Sequence, residues 1–171
     1  DRPGPTLDGA LQAIPPDTLS LSARFGLFRP FFALRADAPS TELLLHEGLR
    51  LKVYTDTLGI PTVGVGRNLR DKGITRDEAL DLLSHDIDEC VTDLATFAWF
   101  EALDAVRQRA LVDLRFNIGP RRLRGFVKML AALAVSDYGT AADELRDSVW
   151  ATQIGATRRD TVLGMLRTGA V

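Results

Sequence analysis

The chain is poor in residues that cross-link or bind metals. Its 171 residues include one cysteine, Cys90, and two histidines, His46 and His85. A lone cysteine excludes an internal disulfide and a cysteine-based zinc site, so packing has to hold the fold. With no HExxH and no clustered ligand spacing, neither a metal centre nor a cofactor is expected. No apolar run approaches the roughly 20 residues that cross a bilayer. The most apolar stretch, FGLFRPFFAL at 25–34, is interrupted by Arg29 and Pro30, so no membrane span is expected. No basic-then-apolar leader pattern opens the chain, and no secretory signal is visible in this numbering.

What is present fits a globular domain: 46% apolar and 26% charged residues, in a length that can bury a sizeable core. Charge is unevenly spread. Residues 71–106 carry two Lys or Arg against ten Asp or Glu, and 107–171 carry eleven against six. The basic second half has the sign to favour an anionic polymer, but solvated helix faces account for these charges equally well, and no nucleic-acid partner is expected.

Residues 1–39 hold six of the eight prolines and little periodicity, and they read as an arm or linker ahead of a domain at 40–171. The aromatics Phe25, Phe28, Phe31 and Phe32 suggest that the second half of the arm packs on this domain or on a partner. From Ser40 the signals sharpen. Ser40 or Thr41 can cap a short helix, TELLLHE, that Gly48 ends. LRLKVY alternates, TDTLGIP supplies a turn and TVGVG alternates again, which together predict a β-hairpin. Period two would put Thr62, Gly64 and Gly66 on one nearly bare face and Val63 and Val65 on the other.

The remainder reads as helix. TRDEALDLLSHDIDECVTDL opens with the capping box Thr75 to Glu78 and places Leu82, Leu83, Ile87 and Val91 at helical spacing. EALDAVRQRALVDLRFNIG carries Leu103, Val106, Ala110 and Leu114 on one stripe and stops at Gly119–Pro120. Further helices are expected at 126–135, at 140–150 after a break at Gly139, and at 158–167. The expected fold class is α+β, mostly α: a small β-hairpin lobe beside a helical bundle.

Chemistry is concentrated around the hairpin, where Glu47 ends a helix, Asp56 follows eight intervening residues later, and Thr62 five after that. Two carboxyl groups and a hydroxyl suit glycosidic hydrolysis, one acid protonating the leaving oxygen while an ionised partner activates or holds water. Carboxyls roughly 6.5–9.5 Å apart predict inversion, and roughly 5–5.5 Å a covalent, retaining route. Spacing alone leaves surface charges and turn formers as an open reading of the same residues.

HEGLRLKVYTDTLGIPTVGVG resembles the phage-type lysozymes, the T-even phage endolysin family, whose run E-G-L-x-L-x-x-Y-x-D-T-x-G-x-x-T-x-G-x-G it matches in order and register. The resemblance continues through TRDEALDLLSHDI, LDAVRQRALVDLRFNIG, GFVKML and SVWATQIGATRRDTVLGMLRTG, about three quarters of the chain. It implies a lysozyme-like fold with Glu47 as general acid, Asp56 positioning or activating water, Thr62 helping to hold that water, and an inverting outcome. It also implies that Arg158, before the last helix, supports the catalytic glutamate by pairing with it. Gly66, Arg67, Asn68, Phe116, Asn117 and Met129 correspond to groove positions, with Phe126 near the far wall and Trp150 at a core position. Helical spacing alone predicts burial of Phe116, Phe126 and Met129, and Asn117 is the better groove candidate. Where many members have G-x-G-H, this chain has Gly66–Arg67–Asn68, a permanent cation in place of a histidine. GRNLRDKGITRDEA is similar to a sub-branch of phage endolysins reading GRNL followed by a GI(S/T)xxEA helix.

The resemblance therefore implies a peptidoglycan muramidase, active as a monomeric domain on the glycan strand without a cofactor. Its place would be the host cytoplasm and then the periplasm at lysis, or the virion, where the arm or a longer polypeptide would join it to a phage structural protein. The alternative from another class is a catalytically lapsed fold that binds wall or serves as a structural module. A lytic transglycosylase would need the acid without the water-activating Asp56.

Overall fold

The computed structural model describes residues 44–171. The arm expected over 1–39 and the helix start expected at Ser40 or Thr41 lie outside the described residues. The described chain divides into two compact units, 44–82 and 83–171, with the boundary inside one helix.

In the first unit, residues 44–47 close a helical turn. The Gly48 N–H donates to the Leu44 carbonyl at 3.1 Å, and Gly48 takes φ +71°, the left-handed closure that leaves Glu47 as the last helical residue. Strands β1 (Arg50–Thr55), β2 (Pro61–Gly64) and β3 (Arg67–Asn68) form an antiparallel sheet in the order β1-β2-β3. Tyr54 pairs with Thr62, Thr62 with Asn68, and Val63 with Arg67. The expected two-stranded hairpin thus becomes three strands, because TVGVG does not run as one strand. Gly64 and Gly66 take φ +67° and +70°, in a region that side-chain-bearing residues avoid, so the chain turns at Val65–Gly66 and returns as β3. The alternation expected to set Thr62, Gly64 and Gly66 on one face ends at this second turn.

Helix α1 (Arg76–Leu94) begins with the expected capping box. Glu78 N–H donates to Thr75 Oγ1 at 3.2 Å, and Thr75 N–H donates to Glu78 Oε2 at 2.7 Å. Farther along, Ile87, Cys90, Val91 and Leu94 are buried, whereas Leu82 of the predicted stripe is 54% exposed.

In the second unit a 3₁₀ turn at Phe100–Ala102 precedes α2 (Ala105–Leu123), whose first N–H groups donate to the Asp104 carboxylate. The regular helix breaks at Gly119 (φ 79°, ψ 164°) before Pro120, as the Gly–Pro pair predicts, and one further turn runs on to Leu123. Helices α3 (Val127–Ala134), α4 (Tyr138–Arg146), α5 (Val149–Gln153) and α6 (Ala156–Thr168) follow. Two expectations change here. Gly139 is no break, because Asp137 caps α4 by accepting from Thr140 N–H at 3.0 Å and Gly139 sits in its first turn. The helix expected over 140–150 divides at Asp147–Ser148, where Ser148 caps a new helix through Ala151 N–H.

Leu94, Leu111, Leu114, Leu123, Leu133, Leu145 and Leu166 are the centre of the core, each at most 1% exposed. Asp93 ties α1 to α2, accepting from Arg115 at 3.2 Å and from Arg124 at 2.5 Å. Arg107 closes the far end of the bundle. Its guanidinium lies 3.7 Å over Tyr138 and donates to the carbonyls of Leu166 and Arg167, the last acceptors of α6.

Candidate functional site

The short connection between Glu47 and β1 brings the glutamate side chain back toward the β2–β3 turn. A Cβ built on Gly66 would stand 3.5 Å from Glu47 Oε2, so this carboxylate lies over a position with no side chain. At the other end of β1, the TDTLGIP turn is organised by Asp56. Its Oδ1 accepts the N–H groups of Leu58 and Ile60, each at 2.8 Å, while its own N–H donates to the Ile60 carbonyl at 3.0 Å. Thr62, 3% exposed, donates its hydroxyl to that same Ile60 carbonyl at 3.0 Å.

The peptide groups of one residue, Ile60, therefore position both side chains and fix their remaining capacity. Asp56 Oδ1 already accepts two hydrogen bonds, and among the described residues Oδ2 is the open acceptor. Thr62 has committed its only proton, so its oxygen can only accept.

Arg67 and Asn68 are held by structural partners. Arg67 forms a two-pronged pair with Glu78, 2.6 and 2.7 Å, and its Nε donates to the Gly73 carbonyl at 2.6 Å. The Thr75 N–H first, then its hydroxyl and the Arg67 guanidinium, hold the Glu78 carboxyl below its ordinary range. Arg67 thus locks the β2–β3 turn onto the start of α1. Asn68 exchanges two hydrogen bonds with Asp71, through Nδ2 at 2.8 Å and Oδ1 at 2.9 Å.

In the helical unit, Phe116 is 45% exposed on α2. With Leu83, Ile87 and Val112 it lines a pocket of about 310 Å³ that also includes Arg109, Asp113 and Arg158. Arg158 has a partner here that the sequence reading did not anticipate: its Nε donates to Asp113 Oδ1 at 2.8 Å. Asn117 accepts a hydrogen bond from the indole Nε1–H of Trp150 at 2.8 Å. Trp150 is 4% exposed, so its expected packing role holds, but it also orients Asn117. Met129 is 1% exposed and belongs to the core, and with Phe126 and Trp150 it also lines a pocket of about 560 Å³ in the helical unit, separate from the one at Phe116. Asp113 and Trp150 as orienting partners were missed because no short-range pattern links residues 45 and 33 positions apart. Glu78 was visible as a cap, not as a clamp on Arg67. Among the described residues no group of three or more His, Cys, Asp or Glu side chains is placed to hold a metal.

Known proteins resemble this chain in the same region. The phage lysozyme family model matches residues 45–167. A 148-residue match at 31% identity to the pre-baseplate central spike protein Gp5 of Enterobacteria phage T4 covers 68% of this chain and 26% of that protein, so the chain spans about a quarter of that relative's length. The endolysin of Salmonella phage P22 is 35% identical over 111 residues, 60% of this chain and 75% of the endolysin. Probable T4-type lysozyme 2 of Dictyostelium discoideum is 26% identical over 162 residues, 75% of this chain and 93% of that protein.

Proposed function

We propose, from the premise that this chain belongs to the phage lysozyme family and is a glycoside hydrolase, that it is a peptidoglycan muramidase. In this reading it hydrolyses the β-1,4 bond from N-acetylmuramic acid to N-acetylglucosamine by inversion. Glu47 is the general acid that gives its proton to the departing N-acetylglucosamine oxygen as the bond to the muramic acid C1 breaks. Asp56 is the base that takes a proton from the attacking water, and Thr62 helps to hold that water.

The observation that carries this reading is the shared anchoring of Asp56 and Thr62 on Ile60. It leaves one open carboxylate oxygen and one hydroxyl oxygen that can only accept. A water donating one O–H to each presents a lone pair outward, the orientation that a nucleophile needs. Arg158 is assigned a supporting electrostatic role toward Glu47, with Asp113 holding its Nε. Gly66, Arg67, Asn68, Phe116, Asn117 and Met129 belong to the walls of the sugar site in this reading.

Released at lysis, such an enzyme reaches the wall from the host cytoplasm. Carried in a virion, it reaches the wall from outside. The match to the spike protein supports the second setting, in which residues 1–39 or a longer polypeptide tether the domain.

Turbidity loss of chloroform-treated Gram-negative cells tests the assignment. Glu47→Gln is expected to be about 10²- to 10⁴-fold slower than the parent, and equal rates would end the muramidase reading. Product analysis separates it from a lytic transglycosylase, which leaves a 1,6-anhydro end. The anomer first formed reports inversion.

A further inference from the structure

The sheet unit carries a groove of about 530 Å³ that takes in three of the proposed sugar-wall residues, Gly66, Arg67 and Asn68, together with two cations that have no role so far, Arg50 and Lys72. Gly64, Gly66 and Asn68 line it with three cations, Arg50, Arg67 and Lys72, and among the described residues its lining includes no acid. Arg67 is occupied, all three of its donor nitrogens being engaged by Glu78 and Gly73. Arg50 is held differently. Its guanidinium carbon lies 4.3 Å over the Tyr54 ring, a cation–π contact that uses the ring face, and among the described residues no acceptor takes its N–H donors. Lys72 is exposed. Gly66 joins this groove to the proposed acid, because it lines the groove and also lies against Glu47 Oε2.

The geometry points to a carboxylate subsite at Arg50 and Lys72 that recognises the anionic substituent of the muramic acid residue. This rests on the muramidase reading. In that reaction the sugar whose C1 bond is cut bears a lactyl ether on O3, and every carboxylate of the substrate is attached through that ether. N-acetylglucosamine carries none. A cationic groove adjoining the acid therefore selects the correct sugar for the cleaved side, and a planar guanidinium with open N–H donors suits a carboxylate. The carboxylate comes from one of two sources, the lactyl group on sugars that bear no stem peptide, or the stem peptide on sugars whose lactyl carboxyl is bound to it as an amide.

Co-sedimentation with purified sacculi tests the subsite without turnover. The whole chain carrying Glu47→Gln is compared with the same chain also carrying Arg50→Gln and Lys72→Gln. The added substitutions are expected to weaken binding to native sacculi about 3- to 10-fold. They are expected to change nothing on sacculi whose carboxylates have been converted to amides. Sacculi stripped of stem peptides by an amidase, whose hydrolysis frees the lactyl carboxylate from its amide, divide the sources: a persisting difference shows that the lactyl carboxylate fills the subsite, and a vanished one assigns the peptide. Equal affinities on native sacculi, or the same loss on amidated ones, would overturn the subsite. An inactive parent chain would sink the muramidase reading and leave this binding comparison intact.

Discussion

Replacing Asp93 by Asn isolates the charge that fastens α1 to α2. The aspartate side chain is 16% exposed and accepts from Arg115 at 3.2 Å and from Arg124 at 2.5 and 3.3 Å. A hydrogen bond to a charged group is worth about 1.5–3 kcal/mol when shielded. Asparagine keeps the shape and one acceptor, and solvent screens part of the cluster, so a total loss of roughly 1.5–3 kcal/mol is expected. At about 2–4 °C per kcal/mol for a chain of this size, the melting temperature at pH 7 should fall by about 3–12 °C.

The pH dependence is the sharper test. The hydrogen bond from Arg124, with that from Arg115, outweighs the opposing effect of burial and holds the Asp93 carboxyl below its ordinary range. A depressed folded value means that the stabilisation is fully present above the unfolded value of about 3.9 and disappears as pH falls through the folded value. A protonated aspartate then resembles asparagine, so the two melting curves should differ from pH 7 to about 5 and converge below about 4. Calorimetry or circular dichroism across that range reads both outcomes. Equal melting temperatures at pH 7, or a gap that persists unchanged in acid, would refute the reasoning.

Gly169→Ala should cost about 1–2 kcal/mol, because the residue has φ +69° and its new Cβ would fall 2.5 Å from Arg107 Nη1, a guanidinium already held by Tyr138 and Leu166; urea melts measure the loss. Asn117→Leu leaves the Trp150 indole N–H, buried with the ring, without its acceptor and should cost about 1–3 kcal/mol, readable by thermal melts alongside a changed tryptophan emission. Cys90 is fully buried, and burial first of all raises its thiol pKa against the opposing pull of Arg115, so an aromatic disulfide reagent should label it only at the rate of opening; rapid labelling of the native chain would contradict that packing.

Features with local causes were legible from the residues. Thr75 and Glu78 announce a helix start because each satisfies the other's backbone N–H within four residues. Gly48 closes the helix that carries Glu47, and Gly119–Pro120 interrupts α2, through conformations that glycine and proline impose by themselves. The second turn at Gly64–Gly66 was misread for a related reason. Alternation of valine and glycine has the period of a strand, and only the positive φ values distinguish it from a turn. Gly139 misled in the opposite direction, because the Asp137 cap offsets the weak helix preference of glycine.

The sequence by itself determined the helical character of the chain, most of its caps and stops, and the motif that marks the family. It did so because those signals act over one to four residues. Tertiary structure alone decided the side-chain partners: Arg67 with Glu78, Arg158 with Asp113, Asn117 with Trp150, and Asp93 with two arginines. It also decided that Ile87 is buried and Leu82 exposed on one helical stripe. Pairings across 11 to 45 residues depend on how elements pack, since a charge or an amide can bond any complementary group that the fold delivers, and no local pattern specifies which one arrives.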